Sequence, residues 1–149
     1  MSQVEISNAE WEVMRLLWSL GEASSKQLAD LLVRKQGWKA ATVKTLLGRL
    51  VNKEYVVARK SGRRYLYRAV VGEQATIDAQ LKMSFDKICQ RHAGRALIHV
   101  IQNIPLTTAD IERLIGLLTK RRKTAPDTLS CNCLFPPQEC QQEKPKAIK

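Results

Sequence analysis

The sequence predicts a mainly α-helical fold with one small β-hairpin. Three observations predict it. Apolar residues recur at intervals of three and four in segment after segment. A single pair of β-branched and aromatic runs, Tyr55 to Lys60 and Arg63 to Val71, flanks the turn pair Ser61-Gly62. After Lys123 all periodicity stops. The expected organisation is therefore a compact domain over residues 1–71, a helical half over 72–123, and a tail over 124–149 without a fold of its own.

Taken in order, Ser7 precedes Asn8-Ala9-Glu10 as a capping box, with Ile6 placed as a hydrophobic staple. The helix that follows runs to about Leu20, with Trp11, Met14, Leu17 and Trp18 on its core face, and Gly21 stands at the C-terminal cap. Ser24 and Gln27 open a second helix carrying Leu28, Leu31 and Leu32, which Gly37 ends. The third has an apolar stripe of Ala40, Val43, Leu46, Leu47, Leu50 and Val51. Its opposite face shows Ala41, Thr42, Thr45, Gly48, Arg49 and Asn52, with Lys44 on the flank. The hairpin closes the domain.

Three short helices and a hairpin within about seventy residues give the element order of a winged helix-turn-helix domain. The charge agrees. Residues 39–68 hold nine Lys and Arg against one acid, Glu54, within a chain of 25 bases, 14 acids and net charge +11. Such a surplus implies an anionic partner, and double-stranded DNA is the expected one, because each phosphate neutralised releases a counterion. Thr42, Lys44, Thr45 and Arg49 have the chemistry to meet base edges in the major groove. Lys39 opens the same helix, and Arg59, Lys60, Arg63 and Arg64 at the hairpin tip are expected to position the DNA backbone.

In the helical half, Ile77, Leu81, Phe85 and Ile88 line one long helix that Gly94 interrupts. Leu97, Ile98, Ile101 and Ile104 line the next, which Pro105 ends. Thr107 and Asp110 cap a last helix carrying Ile111, Leu114, Ile115 and Leu118. Three stripes without a sheet to cover them point to a two-fold homodimer whose two reading helices address half-sites about one DNA turn apart. Cys89, beside Phe85 and Ile88, reads as a small buried hydrophobe, and His92 and His99 as isolated groups.

The first residues, MSQVEISNAE, contain no apolar core of signal type, and no run approaches eighteen apolar residues. A cytoplasmic protein with no membrane association is expected. In that reducing compartment clustered thiols act as metal ligands or redox groups rather than structural disulfides. Cys131, Cys133 and Cys140 fall within ten residues, a spacing that suits a soft ion such as Cu(I) or Zn(II). No acid, base and nucleophile converge, so the sequence does not read as an enzyme.

The runs ISNAEWEVMRLLW, TVKTLLGRL and YVVARKSGRRYLYRAVV together resemble the penicillinase-repressor family of winged-helix transcriptional repressors, over roughly residues 4–122. The tail is similar to that of the copper-responsive, CopY-type branch, whose pattern C-x-C-x4-C-x-C falls on Cys131, Cys133, position 138 and Cys140. The resemblance implies a dimer on inverted-repeat operators of the TACA/TGTA kind, with Zn(II) in the DNA-bound form, Cu(I) as inducer and copper-export genes under control. Position 138 is Gln138, so one thiol of the pattern is missing and water, Gln138 or Glu139 is the expected fourth ligand to zinc. Lys39 stands where relatives often place a serine cap. The β-lactam branch is cleaved at an Asn-Phe bond, and the nearest bond here is Ser84-Phe85. Control by proteolysis and a copper-buffering role are the alternatives.

Overall fold

The computed structural model describes residues 4–135 and residue 140. The elements run α1 (Asn8–Leu20), β1 (Glu22–Ser24), α2 (Ser25–Gln36), α3 (Ala40–Asn52), β2 (Val56–Ser61), β3 (Arg64–Ala69), α4 (Glu73–Asp86), α5 (Gln90–Asn103) and α6 (Thr108–Arg122). The chain divides into two compact units, residues 1–83 and 84–149.

In the first unit the local chemistry of the helix ends is realised. Ser7 and Glu10 form a complete capping box on α1, as Ser24 and Gln27 do on α2. Val13, Met14 and Leu17 of α1, Leu28 and Leu32 of α2, and Val43, Leu47 and Leu50 of α3 are fully buried in one core. Trp11 and Trp18 pack edge to face at 5.6 Å against that core, and the Trp18 indole N–H donates to the Val71 carbonyl at 2.9 Å. Ala40 is exposed, so the buried stripe of α3 begins at Val43.

The sheet has three antiparallel strands in the order β1-β3-β2, one more than the hairpin expected. The residues Glu22-Ala23-Ser24 carry no strand signal. They become one because they pass along the free edge of β3, pairing Ala23 with Tyr67. Ser61 pairs with Arg64, so the two turn residues are Gly62-Arg63 rather than Ser61-Gly62. Gly62 has φ +65° and Arg63 does not share the positive φ, the II′ pattern that matches strand twist.

The passage from α3 to β2 is tightly bonded. Tyr55 N–H donates to Leu50 O and Glu54 N–H to Val51 O, both at 3.0 Å, with Glu54 in the left-handed region at φ 63°. That is a Schellman motif without glycine, and it fixes the exit of α3 into the hairpin. The start of α1 and the end of α3 are joined by Lys53 Nζ, which lies 2.7 Å from Glu10 Oε2 and also donates to Glu5 O at 2.8 Å. Glu10 is 2% exposed. Lys53→Met therefore leaves a buried carboxylate without its cation and should cost ~2–3 kcal/mol in urea unfolding. Adding Glu10→Gln should recover part of that loss.

The long helix expected through Ile88 stops at Asp86. Lys87 and Ile88 bond back three residues, to Ser84 O and Phe85 O, and Cys89 is extended at φ −59°, ψ 131° before α5 begins. Gly94, expected as the interruption, lies inside α5. In the second unit α6 carries a full Thr107/Asp110 capping box. Neither α5 nor α6 contains a buried residue, and Ile98, Ile104, Ile111, Ile115 and Leu118 are 45–59% exposed.

Candidate functional site

Two groups of side chains stand apart from the core. The first is on α3 and the hairpin. Because Val43, Leu46, Leu47 and Leu50 turn inward, Thr42, Lys44, Thr45, Gly48 and Arg49 all turn outward and are exposed. Thr45 Oγ1 donates to Ala41 O at 3.0 Å, which occupies its proton and leaves its lone pair and methyl facing outward. Toward solvent the hydroxyl can therefore act only as an acceptor. Lys39, the N-cap of α3, makes no side-chain cap bond and is exposed. At the hairpin tip Lys60, Arg63 and Arg64 are exposed.

The acids of this unit do not reach those cations. The ion pairs include those of Glu12 with Arg15 and Lys35, Glu10 with Lys53, and Glu22 with Arg59. Lys39, Lys44, Arg49, Lys60, Arg63 and Arg64 belong to none of them, so their charge stays available to an outside anion. Arg59 differs from its neighbours. Its guanidinium grips Glu22 through two nitrogens, with Nε 3.3 Å from Oε2, and so ties β2 across β3 to β1. Its charge is shared with that carboxylate.

The second group is a thiol cluster in the second unit. The Sγ atoms of Cys89, Cys131, Cys133 and Cys140 all lie within 4.8 Å of one another, with Cys89 and Cys131 at 3.7 Å. A tetrahedral site with metal–sulfur bonds of about 2.3 Å has sulfur–sulfur edges of about 3.8 Å. Four sulfurs, no oxygen donor and spacing of this size fit Zn(II) or Cu(I) and do not fit hard cations. Cys140 is buried and the other three are half-buried. The tail carrying three of the thiols is laid on the first turn of α5. Gln90 N–H donates to Asn132 Oδ1 at 3.0 Å, Gln90 Nε2 to Ser130 O at 2.6 Å, and the Arg91 guanidinium to Cys140 O.

Cys89, Cys133 and Cys140 do not ionise alike. The backbone N–H groups of Arg91 and Asn132 beside Cys89 bring its thiol down to about 6. Cys133, hydrogen-bonded to Cys131 and Cys89, is pushed up to about 12, and burial raises Cys140. Cys89 becomes a thiolate before Cys133 and Cys140, and the ionised form is the one that binds metal. His92 Nε2 stands 3.3 Å from Cys140 Sγ, where its N–H can support a ligated sulfur.

The sequence profile described as penicillinase repressor matches residues 6–120. The chain belongs to the penicillinase repressor family. An uncharacterised 16.5 kDa protein of Latilactobacillus sakei is 41% identical over 140 residues, covering 94% of each chain. The methicillin resistance regulatory protein MecI of Staphylococcus aureus (strain N315) is 26% identical over 117 residues, covering 78% of this chain and 95% of its own. A solved CopR repressor structure is 46% identical with a TM-score of 0.40, covering 46% of this chain and all of the other.

Within this penicillinase-repressor chain the structure gathers Cys131, Cys133 and Cys140, as their spacing suggested, and adds Cys89. Cys89 is not a core hydrophobe, because the helix whose apolar face it was expected to share ends three residues before it. His92 is likewise not isolated. Gln138 and Glu139, expected as substitutes for the missing thiol, lie outside the described residues.

Proposed function

We propose that the chain is a cytoplasmic homodimeric repressor that binds inverted-repeat operator DNA and is released when Cu(I) is held by Cys131, Cys133 and Cys140, with Zn(II) in the DNA-bound form and copper-export genes under its control. The observation that carries the metal half of this reading is the set of four convergent sulfurs in a chain of repressor ancestry. The DNA half is supported by the outward Thr42, Lys44, Thr45 and Arg49 and by the unpaired tip cations Lys60, Arg63 and Arg64. Lys39 adds charge at the uncapped start of α3. Arg59 contributes to DNA positioning only in so far as its Glu22 partner releases it.

A bound soft ion supplies a charge centre that several thiolates can share. The response comes from the protein, which must hold the inducer more tightly when off DNA than on it, since equal affinity moves nothing. Control by proteolysis is the weaker reading. The bond at the matching place, Ser84-Phe85, departs from the Asn-Phe signal of the cleaved branch.

Operator retention by the full-length dimer, titrated with Cu(I) and with Zn(II), tests the proposal beside a variant in which Cys131, Cys133 and Cys140 are all serine. Cu(I) should release the parent and leave the variant bound. Release that persists unchanged in the variant overturns the metal-linked reading. Sequence-specific, salt-sensitive retention of the palindrome by the metal-free parent separates a repressor from a copper-buffering protein.

A further inference from the structure

Cys89 differs from the three tail thiols in its place in the fold. It is the N-cap residue of α5 and follows the break after Asp86, about forty residues before the tail it meets. The N-termini of α1, α2 and α6 are closed by their own capping boxes. α5 has no side-chain cap bond. Its first turn is covered instead by the tail, through Asn132, Ser130 and the Cys140 carbonyl. Whatever holds the tail therefore also orders the start of α5, where the Gln90 N–H is taken by Asn132 of the tail.

We propose that Cys89 is the discriminating ligand of the cluster: it joins Cys131, Cys133 and Cys140 on Zn(II), pinning the tail to the first turn of α5, and is released when Cu(I) is held by the three tail thiols alone. The proposal rests on the metal-responsive reading above and adds the residue through which the metal's identity reaches the helical half. The reason is coordination number. Structural Zn(II) is four-coordinate, and the three tail sulfurs leave one position, which Cys89 Sγ at 3.7 Å from Cys131 Sγ is placed to complete. Cu(I) accepts three sulfurs, so Cys89 can leave the metal and let the α4–α5 junction loosen.

The test uses full-length dimers of the parent, Cys89→Ser, Cys89→Ala and the triple tail-serine variant, loaded with Co(II) as a spectroscopic substitute for zinc, with Zn(II), or with Cu(I). Serine is itself a good N-cap, so folding of the first variant is protected, and alanine removes that assistance. Loss of one sulfur in four should lower the thiolate-to-Co(II) charge-transfer absorption by about a quarter. Zinc affinity should fall at least ~100-fold in both Cys89 variants, since losing even an outer-shell partner costs 10–100-fold. Cu(I) uptake should stay within about threefold of the parent, because all three of its sulfurs remain. Hydrogen exchange of amides 88–93 should be slowed by Zn(II) and not by Cu(I) in the parent, and should respond to neither in the variants. Cys89 variants with full charge-transfer intensity and parental zinc affinity overturn the role of Cys89 while leaving the metal-responsive reading standing. A triple tail variant that binds both metals as the parent does overturns that reading, and this inference with it.

Discussion

Replacing Ile115 and Leu118 together by aspartate should give a folded monomer that holds a palindromic operator about 10²–10⁴-fold more weakly than the parent. Both residues are more than half exposed in the single chain, and α6 has no buried residue, so neither substitution opens a cavity in the protomer. What they remove is the apolar row Ile111, Ile115 and Leu118, which a second copy is expected to cover. Two carboxylates placed there on each protomer would be desolvated in the contact, a cost that Arg121 and Arg122 one turn beyond position 118 offset only in part. The loss on DNA comes from linkage. Once one reading head is bound, a joined second head faces its half-site at high effective concentration, and a monomer lacks that advantage. Sedimentation should show the monomer, and affinity for a single half-site should be almost unchanged. A variant that stays dimeric with parental operator affinity would place the dimer contact elsewhere.

Legibility in the sequence followed the distance over which each feature is determined. Capping boxes at Ser7, Ser24 and Thr107 were readable because donor and acceptor lie three residues apart and the motif completes itself locally. The exposed face of α3 was readable because one helix period separates Val43, Leu46, Leu47 and Leu50 from Thr42, Thr45 and Arg49. β1 was not, since Glu22-Ala23-Ser24 is a strand only through the edge that β3 offers. The position of the helix break was hidden for the same reason. Glycine at position 94 is the obvious local breaker, yet the tail engages the chain at Gln90 and Arg91, and α5 continues through Gly94.

Cys89 shows where periodicity misleads. Its offset from Phe85 and Ile88 suits an apolar helix face, whereas its contact with Cys131 spans 42 residues and leaves no trace in spacing. One signal was present nonetheless. The tail pattern lacks a thiol at position 138, and the chain has four cysteines with three in the tail, so Cys89 was the remaining sulfur able to complete a set of four.

Arg49→Ala should weaken operator binding by about 1–3 kcal/mol in each protomer, hence about 2–6 kcal/mol for the dimer, and should relax the base preference at one position of each half-site. Arg49 is exposed on the outward face of α3, in no ion pair among the described residues, and small Gly48 beside it permits close approach to a base pair. A guanidinium in that position can take two acceptors of one guanine, and its removal leaves them unmatched. The hairpin tip should respond differently. Arg63→Ala with Arg64→Ala removes up to four phosphate contacts from the dimer, so the slope of log affinity against log salt should become shallower by up to about 3.6, at roughly 0.9 per contact. Its base preference should stay the same. Binding to operators substituted at each position, measured across a salt series, separates the two behaviours. If Arg49→Ala lowers affinity equally on every sequence and changes the salt slope instead, α3 is held against phosphate, and base reading must come from Thr42, Lys44 and Thr45 alone.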